Sequence, residues 1–123
     1  MIPKSMRDFS NVLTTPGFFE AVFSGVDDWD VILDERDAGD FDESWVLNNE
    51  ALKLKPCSDK DEEALNKLRE YVFKEVFRIT KNSEVSSYAS DDIDLIGQAI
   101  AKNEITCWVL GLFDAYRSGV FPS

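Results

Sequence analysis

The C-terminal third of the chain carries six large apolar residues at the spacing of one helical face. They recur at i, i+3, i+4, i+7, i+8 and i+11, and they are Ile105, Trp108, Val109, Leu112, Phe113 and Tyr116. Such a stripe predicts an amphipathic helix that is buried against a core. Gly119 and Pro122 follow where this helix is expected to stop. Gly111 lies inside the helix at a cost of about 1 kcal/mol relative to alanine, which predicts that another backbone approaches closely there.

Two further helices are predicted upstream of this one. The longer runs from about Asp59 to Lys81, with Ser58 as its N-cap. Phe73 and Phe77 are expected to widen its apolar stripe. The other helix lies in SDDIDLIGQAIAKNE, where Ser90 is the expected N-cap and the aspartates after it fill the first turn. Few residues separate this helix from the C-terminal one, so the two form either a helical hairpin or a bent rod.

The N-terminal half predicts shorter helices. One is expected at about Ser5–Leu13, and Thr15 and Pro16 are predicted to cap and open a second one that ends at Gly25. The stretch WDVILDE fits a strand or a short helix, and DESWVLNNEALKL predicts a further helix. No repeat and no glycine- and serine-rich linker divides the chain. The expected fold is therefore mostly α, a single-domain bundle over residues 1–123 with about five to seven helices joined by short loops.

Charge and residue usage exclude several classes of function. The chain has 24 acids against 13 lysines and arginines, a net charge of −11, which repels phosphate backbones and anionic lipids and attracts basic proteins. We therefore expect no direct binding to nucleic acid or membranes. Because histidine is absent, the commonest general base is missing, and neither an enzyme nor a catalytic residue is expected. Cys57 and Cys107 are expected to be reduced thiols of a cytoplasmic protein, with a pair between them as the alternative. No apolar run approaches the ~20 residues of a bilayer span.

The segment from Val26 to Trp45 concentrates the negative charge. It contains nine carboxylates and two tryptophans around one arginine, Arg36. The first 58 residues hold 12 acids and 5 bases and the remaining 65 hold 12 acids and 8 bases, or −7 against −4. The candidate partner-binding residues are Asp27, Asp28, Trp29, Asp30, Asp34, Glu35, Asp37, Asp40, Asp42, Glu43 and Trp45.

Three interpretations of this segment compete: a solvated loop, a cation site and a recognition surface. A calcium loop that began at Asp34 would place Trp45 where a bidentate glutamate belongs, so no dedicated metal site is expected. A solvated loop would turn its aromatic side chains into the core. Crowded like charges repel one another and lower stability, so their presence indicates a functional role. A surface that meets a basic protein explains charge and aromatics together, with Trp29 or Trp45 as its anchor.

In size, charge, absence of histidine and predicted helices, a chain with DDWDVILDERDAGDFDESW resembles the immunity proteins of bacterial contact-dependent growth inhibition and related polymorphic toxin systems. The resemblance implies a protein that binds a cognate toxin domain one to one and neutralises it, without cofactor or turnover. The toxin would be a basic nuclease, an RNase in preference to a DNase, whose active site is covered. The alternatives are a phage-type nucleic-acid mimic that inhibits a host DNA-binding protein and a helical adaptor with an apolar groove.

Overall fold

The computed structural model describes residues 3–26 and 28–123 as seven helices joined by short loops. The helices are α1 (Met6–Leu13), α2 (Phe18–Phe23), α3 (Trp29–Asp37), α4 (Asp40–Lys53), α5 (Asp59–Thr80), α6 (Ser83–Ala101) and α7 (Cys107–Arg117). Within the two described ranges there is no strand, and WDVILDE belongs to a helix. The predicted mostly α bundle is confirmed.

Helices α5 and α6 form an antiparallel hairpin at the centre of the fold. Lys81 turns the chain between them with φ 56°, and the side chain of Asn82 then caps α6 by accepting two backbone N–H groups at 3.0 and 3.1 Å. The two helices pack closely because Gly97 has no side chain. A Cβ atom at that position would overlap Leu65 of α5 and lie 3.3 Å from the ring of Phe9 in α1.

The start of α6 differs from the prediction. Ser90 is not the N-cap, because the helix begins about two turns earlier at Ser83. Ser90 is buried instead, and its hydroxyl donates to the carbonyl oxygen of Arg69 on α5 at 3.0 Å. A serine followed by aspartates is typical of a helix start. Here Val85 and Ala89 ahead of it are fully buried, so packing in the core extends the helix over them.

Helices α6 and α7 form a second hairpin rather than a bent rod. Asn103 lies in the connection with φ 55°, and the side chains of Asp92 and Tyr116 meet across the two helices. Gly111 faces an open side of α7, where a methyl group added to its Cα would have no atom within 4 Å. The prediction of a close contact at Gly111 was wrong. The glycine at which another helix packs closely is Gly97.

Two other local predictions are corrected. Helix α2 begins at Phe18, since Gly17, with φ 82°, is its N-cap and neither Thr15 nor Pro16 takes that place. Phe73 and Phe77 do not widen the buried stripe of α5. They are 37% and 41% exposed, and their rings stack on each other with centroids 6.4 Å apart. The predicted cap of α5 is confirmed, because the Ser58 side chain accepts the N–H of Asp61 at 3.1 Å.

One apolar cluster fills the space between the helices. Most of its fully buried members come from α1, α2, α5, α6 and α7, and among them are Phe9, Leu13, Phe19, Val72, Val76, Val85, Ile93, Leu95, Ile96, Val109 and Phe113. Helices α3 and α4 pack on each other and on α6 at the edge of this core. Cys57 and Cys107 are free thiols, as predicted. No helix of the described chain is both long and apolar enough to cross a membrane.

Candidate functional site

Helix α3 carries the first half of the acidic segment to the surface. Asp28 caps this helix, because its carboxylate accepts the backbone N–H groups of Asp30 at 3.1 Å and Val31 at 3.4 Å. Negative charge is favourable at a helix N-terminus, so Asp28 also stabilises α3. The helix buries only Leu33 and Arg36, and its other side chains are exposed or half-buried. Asp27 lies outside the described residues.

The guanidinium of Arg36, the one base of the acidic segment, is buried against Asp92 of α6. Two parallel hydrogen bonds of 2.7 Å join them, Nη1 to Oδ2 and Nη2 to Oδ1, and the residues are 5% and 0% exposed. The indole Nε1 of Trp45 donates to Oδ1 at 2.9 Å, and the hydroxyl of Tyr116 donates to Oδ2 at 2.6 Å. Arg36 also donates to the carbonyl oxygen of Pro122 at 3.1 Å. This buried ion pair links α3, α4, α6, α7 and the C-terminal tail.

Aromatic rings surround the Arg36 guanidinium. Three ring centroids lie within 4.7, 4.7 and 5.2 Å of its central carbon, those of Phe41, Phe121 and Tyr88. Such contacts stabilise a cation that has left water. Burial alone would lower the pKa of Arg36, but the hydrogen bonds and charge of Asp92 outweigh it and raise that pKa. Arg36 therefore stays charged, and in its pair with Asp92 both terminal nitrogens of the guanidinium and both carboxylate oxygens are hydrogen-bonded.

The other carboxylates of the segment point to solvent and form what we call the acidic face. Its members are Asp28, Asp30, Asp34, Glu35, Asp37, Asp40, Asp42 and Glu43, all exposed. Among the described residues, none of the eight lies within 4.0 Å of a lysine or arginine nitrogen, whereas nine of the fifteen carboxylates outside the segment do. In the same part of the chain, no group of three acidic or cysteine side chains is arranged to hold a metal ion. The acidic face thus presents unneutralised charge.

The two tryptophans of the segment are half-buried rather than fully exposed. Trp29 packs on Phe23 with ring centroids 5.9 Å apart, and the N–H of Trp45 is taken by Asp92. Val31 of α3 is 51% exposed, and α4 exposes two apolar side chains beside the segment, Val46 and Leu47, at 45% and 71%. Sequence reasoning did not single them out. The signal that could have found the two on α4 is that both lie off the inward face that the sequence predicts from Trp45, Leu52 and Leu54. The prediction for Leu54 was wrong, because that side chain is 85% exposed.

A pocket of about 190 Å³ opens between α3, α4 and α6, beside the buried ion pair. It is lined by Arg36, Asp37, Phe41, Asp42, Trp45, Val46, Tyr88, Asp91 and Asp92. The hydroxyl of Tyr88 donates to Asp37 at 2.8 Å, which raises the pKa of Tyr88. Asp91 pairs with Arg69 at 3.2 Å, yet partial burial raises the pKa of its carboxyl. Four aspartates and one arginine give the lining a formal charge of −3.

The location predicted for Asp92 was wrong. The pattern put it among the first-turn aspartates of a helix, where it would have been exposed. It lies instead in the middle of α6 with no exposed surface. The only hint in the sequence was a single arginine within a run of acids, which required a partner from elsewhere if it was to be buried.

The fold and the site together define a small, acidic, all-α protein with a structural ion pair beneath an unneutralised surface. A family model described as Immunity protein PIM1 matches residues 8–123 of the chain. The chain therefore belongs to the PIM1 immunity protein family, as the resemblance to immunity proteins had indicated. Membership supports a general role in immunity and implies binding to a cognate toxin. A search of curated proteins gave no match.

Proposed function

We propose that this protein neutralises a basic nuclease toxin, an RNase in preference to a DNase, by binding over its active site through the acidic face. The observation that carries the proposal is the set of eight exposed carboxylates without a lysine or arginine partner in the described chain. A nuclease active site is shaped to hold phosphates, so it is electropositive. Carboxylates on α3 and α4 present negative charge to this active site, as a nucleic-acid substrate does, but they contain no bond that the nuclease can cleave. The protein therefore acts as a stoichiometric inhibitor and not as an enzyme.

An interface of standard size would cover only a small part of the protein surface. Standard specific complexes bury about 800 Å² on each partner, which is roughly a ninth of the 7055 Å² surface of this chain. The negative field speeds encounter with a basic partner, by ~10- to 10³-fold in favourable cases. The unneutralised charge is concentrated on α3 and α4, because eight unpaired carboxylates lie within residues 28–43 and the other six in the described chain are spread over the remaining sequence. This distribution favours one partner-binding patch over a general mimic of nucleic acid.

The toxin is the natural probe for this proposal. In toxin–immunity systems the immunity gene follows its toxin gene, so the toxin domain encoded immediately upstream is expressed, purified and assayed on fluorescent RNA and DNA strands. We expect cleavage of RNA that ceases when the two proteins are mixed in equal amounts. Calorimetry is expected to give one site per toxin domain. Undiminished cleavage in the presence of excess immunity protein would contradict the proposal, and so would a toxin that cleaves neither nucleic acid.

The role of the acidic face is tested with two charge-matched variants. One replaces five of its carboxylates by amides: Asp30→Asn, Asp34→Asn, Glu35→Gln, Asp40→Asn and Glu43→Gln. The control replaces five exposed carboxylates elsewhere: Glu63→Gln, Glu70→Gln, Glu84→Gln, Glu104→Gln and Asp114→Asn. Both variants have the same net charge. We expect the first to associate with the toxin at least about tenfold more slowly at low salt and the control to change little; equal rates would rule out the acidic face.

A further inference from the structure

Helix α4 presents apolar surface that no part of the described chain covers. Leu47 is 71% exposed and Val46 is 45% exposed, and acids at positions 42, 43 and 50 lie on the adjoining turns. An isolated exposed leucine is ordinary on a protein surface. Here, however, Val46 also lines the pocket of about 190 Å³, so the apolar surface continues into a cavity. An apolar patch with a charged rim is typical of a protein-binding site.

The charge of the pocket lining favours a cation as its ligand. Its buried end is occupied by the Arg36–Asp92 pair, whose charges cancel, and Asp91 is paired with Arg69, so the unneutralised charge of the lining comes from Asp37 and Asp42. The side chain of Asp42 has no partner within the described chain. Asp37 receives one hydrogen bond, from Tyr88, and Asp91 uses one oxygen to bind an arginine that is itself half exposed. Carboxylate oxygens are therefore free to accept further donors.

The walls of the pocket suit the same ligand. The rings of Phe41 and Tyr88 line it and already lie over one guanidinium, that of Arg36. Aromatic faces attract ammonium and guanidinium groups, and apolar walls accept the methylene stem of a lysine or arginine. The volume of about 190 Å³ is below the ~300–1,000 Å³ of pockets for small molecules. This volume is of the size of one long amino-acid side chain.

We propose that this pocket receives one lysine or arginine side chain of the cognate toxin, while Val46 and Leu47 pack against the toxin surface around it. The inference rests on the proposed function and deepens it, because it names the point at which the acidic face anchors its partner. Charge complementarity selects the occupant. The carboxylates of the acidic face steer the encounter, and the pocket slows dissociation because its carboxylates and aromatic rings hold the inserted cation where water screens their attraction less.

The test uses the toxin domain encoded upstream and two variants, one on α4 and one at the residue that follows this helix. Val46→Arg places a guanidinium at the mouth of the pocket, where it competes with the toxin side chain. Leu54→Arg introduces the same charge at a residue that is 85% exposed and outside the pocket lining. Circular dichroism checks that both variants fold. We expect Val46→Arg to weaken the complex by roughly thirtyfold or more, mainly through faster dissociation, and Leu54→Arg to have a far smaller effect.

A milder variant and a cross-link make the inference independent of the bulky substitution. Asp42→Asn keeps the shape of the side chain and is expected to weaken binding by about tenfold. A photo-reactive phenylalanine at position 47 is expected to capture toxin peptides that flank a lysine or arginine. If wild-type protein inhibits the toxin while Val46→Arg and Asp42→Asn inhibit it equally well, the pocket has no such role and the proposed function stands. If wild-type protein does not bind the toxin, the proposed function itself fails.

Discussion

Helices α5 and α6 and helices α3 and α4 are both neighbouring helical pairs, but different forces hold them in place. Helices α5 and α6 bury fifteen residues, most of them apolar, whereas α3 and α4 together bury Leu33, Arg36 and Leu52. The first pair is held by core packing. The second is tied to the molecule by an ion pair and its hydrogen bonds.

The two helix pairs also differ in how many of their acidic side chains are paired with a lysine or arginine. On α5, Glu63 and Glu70 each lie within 3.4 Å of a lysine one turn further along the helix. On α3 and α4, Glu50 alone among the exposed carboxylates has such a partner in the described chain, Lys53 at 3.3 Å. Neutralised acids contribute to the stability of the helix that carries them, while unpaired acids repel one another. Unpaired carboxylates are therefore denser on α3 and α4, which is the surface that we propose for the partner.

The largest effect should come from removing the carboxylate that holds α3 and α4. Asp92→Ala leaves a buried guanidinium without its counter-ion and removes the acceptor for Trp45 and Tyr116. Breaking a buried ion pair from one side costs ~3–5 kcal/mol of unfolding free energy. Urea unfolding followed by circular dichroism measures the loss, and hydrogen exchange should show α3 and α4 losing protection before α5 and α6.

The double variant Arg36→Met with Asp92→Leu separates the loss of an ion pair from the loss of packing. Apolar residues of similar volume leave no buried charge, so this variant should recover much of the stability that Asp92→Ala loses. A cost below ~1 kcal/mol for Asp92→Ala would match an exposed ion pair instead. It would show that α3 and α4 are held by other contacts.

An intermediate effect is expected from alanine at two helical glycines. In Gly97→Ala the new methyl group overlaps Leu65 across the α5–α6 contact, and overpacking of this kind costs ~1–3 kcal/mol. Gly111→Ala meets open space and should gain up to about 1 kcal/mol from helix propensity alone. Thermal unfolding should therefore move the two variants in opposite directions. A gain for both would contradict the close packing that distinguishes α5 and α6.

The smallest effect concerns charge on α3. Asp34 and Glu35 lie in its C-terminal half, where the helix dipole disfavours negative charge. Asp34→Asn with Glu35→Gln should raise the unfolding free energy by ~0.3–1 kcal/mol at low salt, and it should slow association with the toxin. On α5, Glu63→Gln should lower stability slightly because it removes an attraction to Lys67. If both variants lose stability, the acids of α3 serve the fold after all.

Local patterns in the sequence were sufficient for most of the helices. The α5 helix and its Ser58 cap, the α7 stripe and the end of α6 near Asn103 all follow from periodicity and capping, which act between residues a few positions apart. Patterns failed where a distant contact outweighed the local preference. Ser90 resembles a cap, but its hydroxyl bonds to Arg69, 21 residues away.

The acidic segment shows the same division. Its charge density and its surface location could be predicted, since carboxylates without counter-ions must remain in water. The roles of its largest residues could not. Trp45 resembled an exposed anchor, yet its N–H binds Asp92, whereas the nearby side chains of Val31, Val46 and Leu47 are exposed. Which side of a helix is covered depends on neighbours that are remote in the chain.

The sequence alone determined that this chain is helical, strongly acidic and built around one long amphipathic helix, because these properties depend on composition and on spacing within single turns. Only the tertiary structure decided that Arg36 is buried with Asp92, 56 residues away, and that the pocket lies beside them. A buried charge is stable only where a partner and its hydrogen bonds converge in space. That convergence is a property of the packed molecule, and it leaves the other carboxylates free for a partner.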